Sequence, residues 1–216
     1  IGGVETFRDM SPMLADLKRA ERIQTLSLEQ ELPQDSRIRF STLYTPHDMV
    51  GGDYFAIRPI DANRYGFLLA DAMGHGVAAA LHTMHLSSLW GRLFHLLGHP
   101  AEFARKMNHE LSKVVKDESF ATAVCGVIDA RNRTLSLASA GGPPAVIVHA
   151  DGGTSCCESA GLPFGLVDDA DYNEVNVQLA PAESVLLFSD GAFEIHNSED
   201  QMLGIDGLLR ILKSLG

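Results

Sequence analysis

"LLADAMGHGVAAAL", residues 68–81, decides how the chain is read. An apolar run ends in a lone carboxylate, Asp71; glycines then bracket His75, and an alanine-rich stretch follows. A short buried run, a glycine turn and a helix-forming segment make a strand–turn–helix. Such a turn holds either the phosphates of a cofactor or a cation. Gly74-His75-Gly76-Val77-Ala78-Ala79 does satisfy the dinucleotide pattern G-x-G-x-x-[GA]. Yet no acidic residue stands about 20 residues on to take a ribose hydroxyl; the chain there reads "GRLFHLLGH", 91–99. Asp71 would also point a carboxylate at an anionic pyrophosphate. No G-K-[ST] follows the turn, so it is not a Walker loop.

The cation reading has support elsewhere in the chain. "VGGDYF", 50–55, places Asp53 after two glycines, and "LLFSDGAFE", 186–194, places Asp190 at the end of an apolar run, before Gly191. Each of the three aspartates adjoins core-forming sequence, where a carboxylate is costly unless a cation compensates it. Lysine and arginine are scarce around all three. All-oxygen ligand sets select hard ions such as Mg²⁺ or Mn²⁺.

The 216 residues are 45% hydrophobic and 21% charged, ordinary for a globular domain that folds without disulfides. Cys125, Cys156 and Cys157 form no zinc spacing and read as reduced thiols of a cytoplasmic protein. A net charge of −11 without a basic run argues against nucleic acid, and no apolar stretch reaches the ~20 residues of a membrane span. The chain opens on Ile1 and reads as a piece of something longer.

Residues 1–34 form a separate linker or signalling segment. Ser11-Pro12 is a helix start; Met13, Leu17, Ala20 and Ile23 follow at helical spacing, and the pattern ends before Pro33. This helix either packs on its own domain or joins an upstream receiver or sensor domain and pairs with a second copy as a homodimer. Over 35–216, "RIRFSTLY", "DYFAIRPI", "YGFLLA", "TAVCGVID", "TLSLASA", "AVIVHA", "EVNVQL" and "SVLLFS" read as strands, with "ARNR" and "ADGG" as hairpin turns. Helices are expected at Val77–Leu97, Ala101–Val115 and Asp206–Leu215. Strands in hairpin groups, without βαβ alternation, favour an α/β fold of antiparallel layers.

"VGGDYFAI", "YGFLLADAMGHGVAAAL", "SFATAVCGVIDARNRTLSLASAGGPPAVIV", "GLPFGL" and "VLLFSDGAFEI" stand in the order found in PPM-type (type 2C) serine/threonine phosphatases, and the chain resembles their RsbU/SpoIIE-like branch from about residue 20 onward. "RAERIQTLSLEQELP", 19–33, is similar to the linker that precedes the domain there. The resemblance implies an α–β–β–α sandwich of two mainly antiparallel sheets flanked by helices, with two Mn²⁺ or Mg²⁺ ions at one edge. Carried over by position, Asp71 bridges both ions, the Ala72 backbone carbonyl ligates one, Asp53 supports the same ion and Asp190 ligates the other. Gly51, Gly52, Gly74, Gly76 and Gly191 let the backbone pass close. His75 stands where it would protonate a leaving alkoxide.

The implied reaction is hydrolysis of a phosphoserine or phosphothreonine on an anti-sigma-factor antagonist in partner switching; the rival is a non-catalytic phosphoprotein-binding module. Three departures bear on this. Ala56 stands near a common acidic position, Gly142 replaces a histidine, and the chain stops at Gly216 before the family's last helix and strand, which implies a weakened second metal site.

Overall fold

The computed structural model describes residues 11–46, 49–114 and 119–215. Residues 1–10 of the expected linker segment, and Val115 at the expected end of the second central helix, lie outside the described residues.

Among the described residues, eight strands form two antiparallel sheets. β1 (Asp53–Pro59), β2 (Arg64–Ala72), β3 (Ala121–Asp129), β4 (Thr134–Ala140) and β7 (Val175–Gln178) make one in the order β1-β2-β3-β4-β7. β5 (Ala145–Val148), β6 (Thr154–Cys157) and β8 (Ser184–Leu186) make the other in the order β6-β5-β8. Period-two alternation divides the large sheet's side chains between two cores. Tyr54, Leu68, Ala70 and Ala123 meet Leu86, Leu89 and Trp90 of α2 (Gly76–Leu93) and Phe103, Met107 and Leu111 of α3 (Pro100–Ser112). Phe67, Val124, Leu135 and Leu137 face Ala145, Ile147 and Cys157 of the small sheet. α4 (Gly204–Leu215) lies against β6 and completes the α–β–β–α order.

The turns expected at "ARNR" and "ADGG" both close hairpins, β3–β4 and β5–β6. β6, "TSCC", was not expected: its four residues carry no alternating pattern, and pairing with β5 recruits them. The expected Val77–Leu97 helix ends at Leu93 and continues as a 3₁₀ turn over Phe94–Leu96. Cys125, Cys156 and Cys157 are free thiols. Among the described residues no helix is long and apolar enough to cross a membrane.

"RIRFSTLY" is not a strand. Only an isolated bridge, Asp35 to Ile38, forms there. Asp35 takes a fork from Arg37 at 2.6 and 2.9 Å and the Tyr65 hydroxyl at 2.6 Å. The outer edge of β1 is occupied instead by the Gln30 amide, which accepts from the Ile57 N–H at 2.9 Å and donates to the Phe55 carbonyl at 3.3 Å. A side chain thus satisfies backbone groups that a neighbouring strand would have taken.

α1 (Ser11–Leu28) packs beside α2, with Gln24 and Leu28 buried. Gln24 donates to the Gly51 carbonyl at 2.7 Å and to Thr83 Oγ1 at 2.9 Å, and accepts from the Gly51 N–H at 2.9 Å. One amide therefore pins both polar groups of the residue two positions before Asp53.

Phe103 is fully buried and meets Trp90 edge-on at 5.8 Å. Phe103→Ala is expected to cost about 3–5 kcal/mol, read as a lower urea midpoint with an unchanged slope.

Candidate metal centre

Strand pairing builds the site. Asp53 opens β1, Asp71 is the penultimate residue of β2, and the register sets them directly opposite each other. Asp190 follows β8 and opens a 3₁₀ turn, Asp190–Ala192. All three line one cavity of about 420 Å³, together with Tyr44, Gly51, Gly52, Ala72, Met73, Gly74, His75, Phe120, Thr122 and Gly191. No lysine or arginine is among the lining residues.

The electrostatics are those of uncompensated acids. Burial first, then the charges of Asp53, Asp190 and Glu194, push the Asp71 carboxyl up to about 7. Burial also raises Asp53, opposed by a hydrogen bond from Ser189 and reinforced by the Asp190 charge. Ser189 Oγ donates to Asp53 Oδ2 at 3.1 Å, whereas Asp53 Oδ1 is buried with no hydrogen-bond partner among the described residues. The Tyr44 hydroxyl shares that condition, and burial beside Asp53 raises its pKa. A buried carboxylate oxygen left unpaired is costly. A divalent cation is what this donor set fits, although among the described residues no three acidic, histidine or cysteine side chains already close into a metal cage.

The sequence-derived residues divide by position. Asp53, Asp71 and Asp190 converge. A Cβ at Gly52 would stand 2.6 Å from the Ala72 carbonyl oxygen and 3.2 Å from Asp71 Oδ1, so close approach requires glycine there. Gly74 and Gly76 have φ of +94° and +74° with open space around them; the turn's left-handed backbone, not crowding, calls for them. Gly191 has neither constraint. His75 is exposed at the N-cap of α2. Sequence reasoning missed Ser189, Tyr44 and Gln24. Ser189 adjoins Asp190 in the chain and was within reach; the other two approach from segments whose docking no local pattern announces.

The family described as Stage II sporulation protein E (SpoIIE) matches residues 61–216. The phosphoserine phosphatase RsbP of Bacillus subtilis is 25% identical over 183 residues, 83% of this chain and 45% of that protein. The phosphoserine phosphatase RsbU of the same organism is 24% identical over 181 residues, 83% of this chain and 54% of that protein. The chain thus spans about half the length of the curated relatives it matches. The solved SiaA-PP2C domain of Pseudomonas aeruginosa superposes with a TM-score of 0.80 at 23% identity, covering 94% of this chain and 82% of that one.

The raised Asp71 pKa has a consequence for stability. Burial and the neighbouring acids raise this carboxyl from 3.8 to about 7, so the folded state binds its proton more tightly. Stability in chelator should therefore fall as pH rises from about 4 to 7, by on the order of 1–2 kcal/mol after allowance for solvent screening. Asp71→Asn is expected to raise the melting temperature in chelator at pH 7.5.

Proposed function

The chain belongs to the Stage II sporulation protein E (SpoIIE) family, and from that premise we propose that it is a divalent-metal-dependent protein serine/threonine phosphatase. The observation that carries the proposal is the set of three converging aspartates without a cationic side chain among the cavity-lining residues. Asp71 and Asp53 are read as holding one Mn²⁺ or Mg²⁺ ion with the Ala72 carbonyl, and Asp71 and Asp190 as holding a second. Bound there, such ions supply a nucleophilic water at neutral pH and neutralise phosphate charge.

The chain's own groups do the rest. Ser189 fixes one Asp53 oxygen and leaves the other to the site. Gly52 keeps the Ala72 carbonyl uncovered. Met73 and Phe120, lining the cavity, limit bulk water around the scissile bond. His75, at the start of α2, is read as the donor of a proton to the departing serine or threonine oxygen. No side chain is asked to act as nucleophile.

The substrate proposed is a phosphorylated anti-sigma-factor antagonist in a partner-switching pathway, a reading supported by the likeness to RsbU and RsbP. Residues 1–34 are proposed to link the domain to an upstream receiver or sensor domain and to favour a homodimer. Deleting them should lower self-association in sedimentation and, with Gln24 gone, speed hydrogen exchange at the Gly51 N–H.

A binding-only domain is the second reading, favoured by the missing ready-made three-residue cage among the described residues. Turnover decides. With Mn²⁺ present the chain should hydrolyse p-nitrophenyl phosphate and a phosphoserine peptide. Chelator should abolish both, and Asp71→Ala should lower kcat/KM by at least about 100-fold, since one ligand would be shared by both ions. Absence of turnover at high protein concentration would favour the binding-only reading.

A further inference from the structure

Charge is distributed unevenly in this chain. Residues 76–113, which contain α2 and α3, hold four lysines and arginines against two acids, while the remainder holds 13 against 26. A net +2 segment thus sits on a body of net −13. Three of its cations gather on one carboxylate. Arg92, Lys106 and Lys113 approach Glu110 at 3.4, 3.2 and 2.9 Å. Their side chains remain 59%, 45% and 52% exposed while Glu110 is only 20% exposed. The cluster therefore presents a surplus of two positive charges to solvent.

This island is joined to the mouth of the catalytic cavity. On α2, Val77, Leu81, His85, Ser88 and Arg92 recur at helical spacing and share one stripe. Val77 and Leu81 are 48% and 64% exposed. Val77 follows His75, which lines the cavity, by two residues. Thr83, which receives α1 through Gln24, points to another side of the helix, so α1 does not claim the stripe. At 1.5 Å per residue the stripe runs about 22 Å from Val77 to Arg92, the span of roughly seven extended residues. Its near end is apolar and its far end cationic.

We propose that this stripe of α2, with the Arg92–Lys106–Lys113 island, is the docking track for an acidic phosphoprotein whose phosphorylated residue enters the cavity. The inference rests on the phosphatase reading above and names the substrate class for the same site. Charge complementarity selects the occupant: the island attracts acids on an otherwise repelling body. A long nucleic acid or an anionic membrane would extend past the island onto the net-negative remainder, within the ~10 Å reach of unscreened charge. A compact acidic protein meets only one face. Val77 and Leu81 supply apolar contact beside the cavity, and the cations supply orientation and a faster encounter.

The test uses two fluorescein-labelled phosphoserine peptides of equal length. One carries four glutamates centred seven residues from the phosphoserine; the other carries glutamines there. Binding is read by anisotropy at low and high salt, and turnover by phosphate release with Mn²⁺. The parent chain should bind the acidic peptide at least about tenfold more tightly at low salt, with the advantage shrinking as salt rises. Arg92→Glu with Lys113→Glu should abolish the preference and raise KM for the acidic peptide, with p-nitrophenyl phosphate turnover unchanged. Leu81→Ser, made separately, should weaken both peptides alike.

Equal binding of the two peptides by the parent chain, or a preference that survives charge reversal, overturns the docking track. Tighter binding of a single-stranded oligonucleotide than of the acidic peptide, lost on the same reversal, overturns it in favour of nucleic acid. Failure of the parent chain to hydrolyse either peptide or p-nitrophenyl phosphate overturns the phosphatase reading alone, because anisotropy still decides the track.

Discussion

Two aspartates stand opposite each other across an antiparallel strand pair, and the molecule is organised around keeping them there. Like charges in that relation oppose pairing, and nothing in the β1–β2 ladder offsets them locally. The register of Asp53 with Asp71 is fixed instead by the six residue pairs that follow, from Tyr54–Ala70 to Pro59–Tyr65. Those pairs bury Tyr54, Ala56, Leu68 and Ala70 under α2 and α3. Slipping one residue would relieve the acids but would turn this whole apolar set toward the other face. The hydrophobic core thus enforces an electrostatic arrangement that the acids themselves disfavour, and burial, then the Asp53 charge, raises the Asp71 pKa.

The layers around this pair were largely legible in the sequence. Alternation in "DYFAIRPI" and "TLSLASA", the buried run "YGFLLA", and the turn residues of "ARNR" and "ADGG" each satisfy a local rule, and tertiary structure agreed with all of them. Local rules failed where an edge was at stake. "RIRFSTLY" alternates as a strand should, yet Gln30 already holds the edge it would need. "TSCC" has no strand pattern and is recruited by the hairpin partner that "ADGG" delivers to it. Whether a segment pairs depends on which edge is free, and that is a property of the assembled sheet.

The site was legible in its carboxylates and not in their supports. An aspartate adjoining an apolar run is visible in one dimension because its cost is local. The groups that hold it are not. Gln24 lies 27 residues before Gly51 in the chain, and its amide meets that peptide only because α1 packs beside α2. Tyr44 stands in a stretch without regular structure and reaches the cavity through a packing arrangement no periodicity encodes. The glycines were legible as a set but differ in cause: backbone handedness at Gly74 and Gly76, near-contact with Ala72 and Asp71 at Gly52, and neither at Gly191.

That difference bears on how the chain would age if selection for its chemistry lapsed. Gly52 admits no larger residue because a backbone carbonyl blocks the way, so descendants would retain it whether or not they turn anything over. Asp71 is the opposite: burial and its acidic neighbours make the ionised carboxylate a burden on the fold, and asparagine would relieve it. Among diverged copies, an intact glycine at 52 is therefore poor testimony to a living enzyme, whereas an aspartate kept at 71 against its own interest is strong testimony.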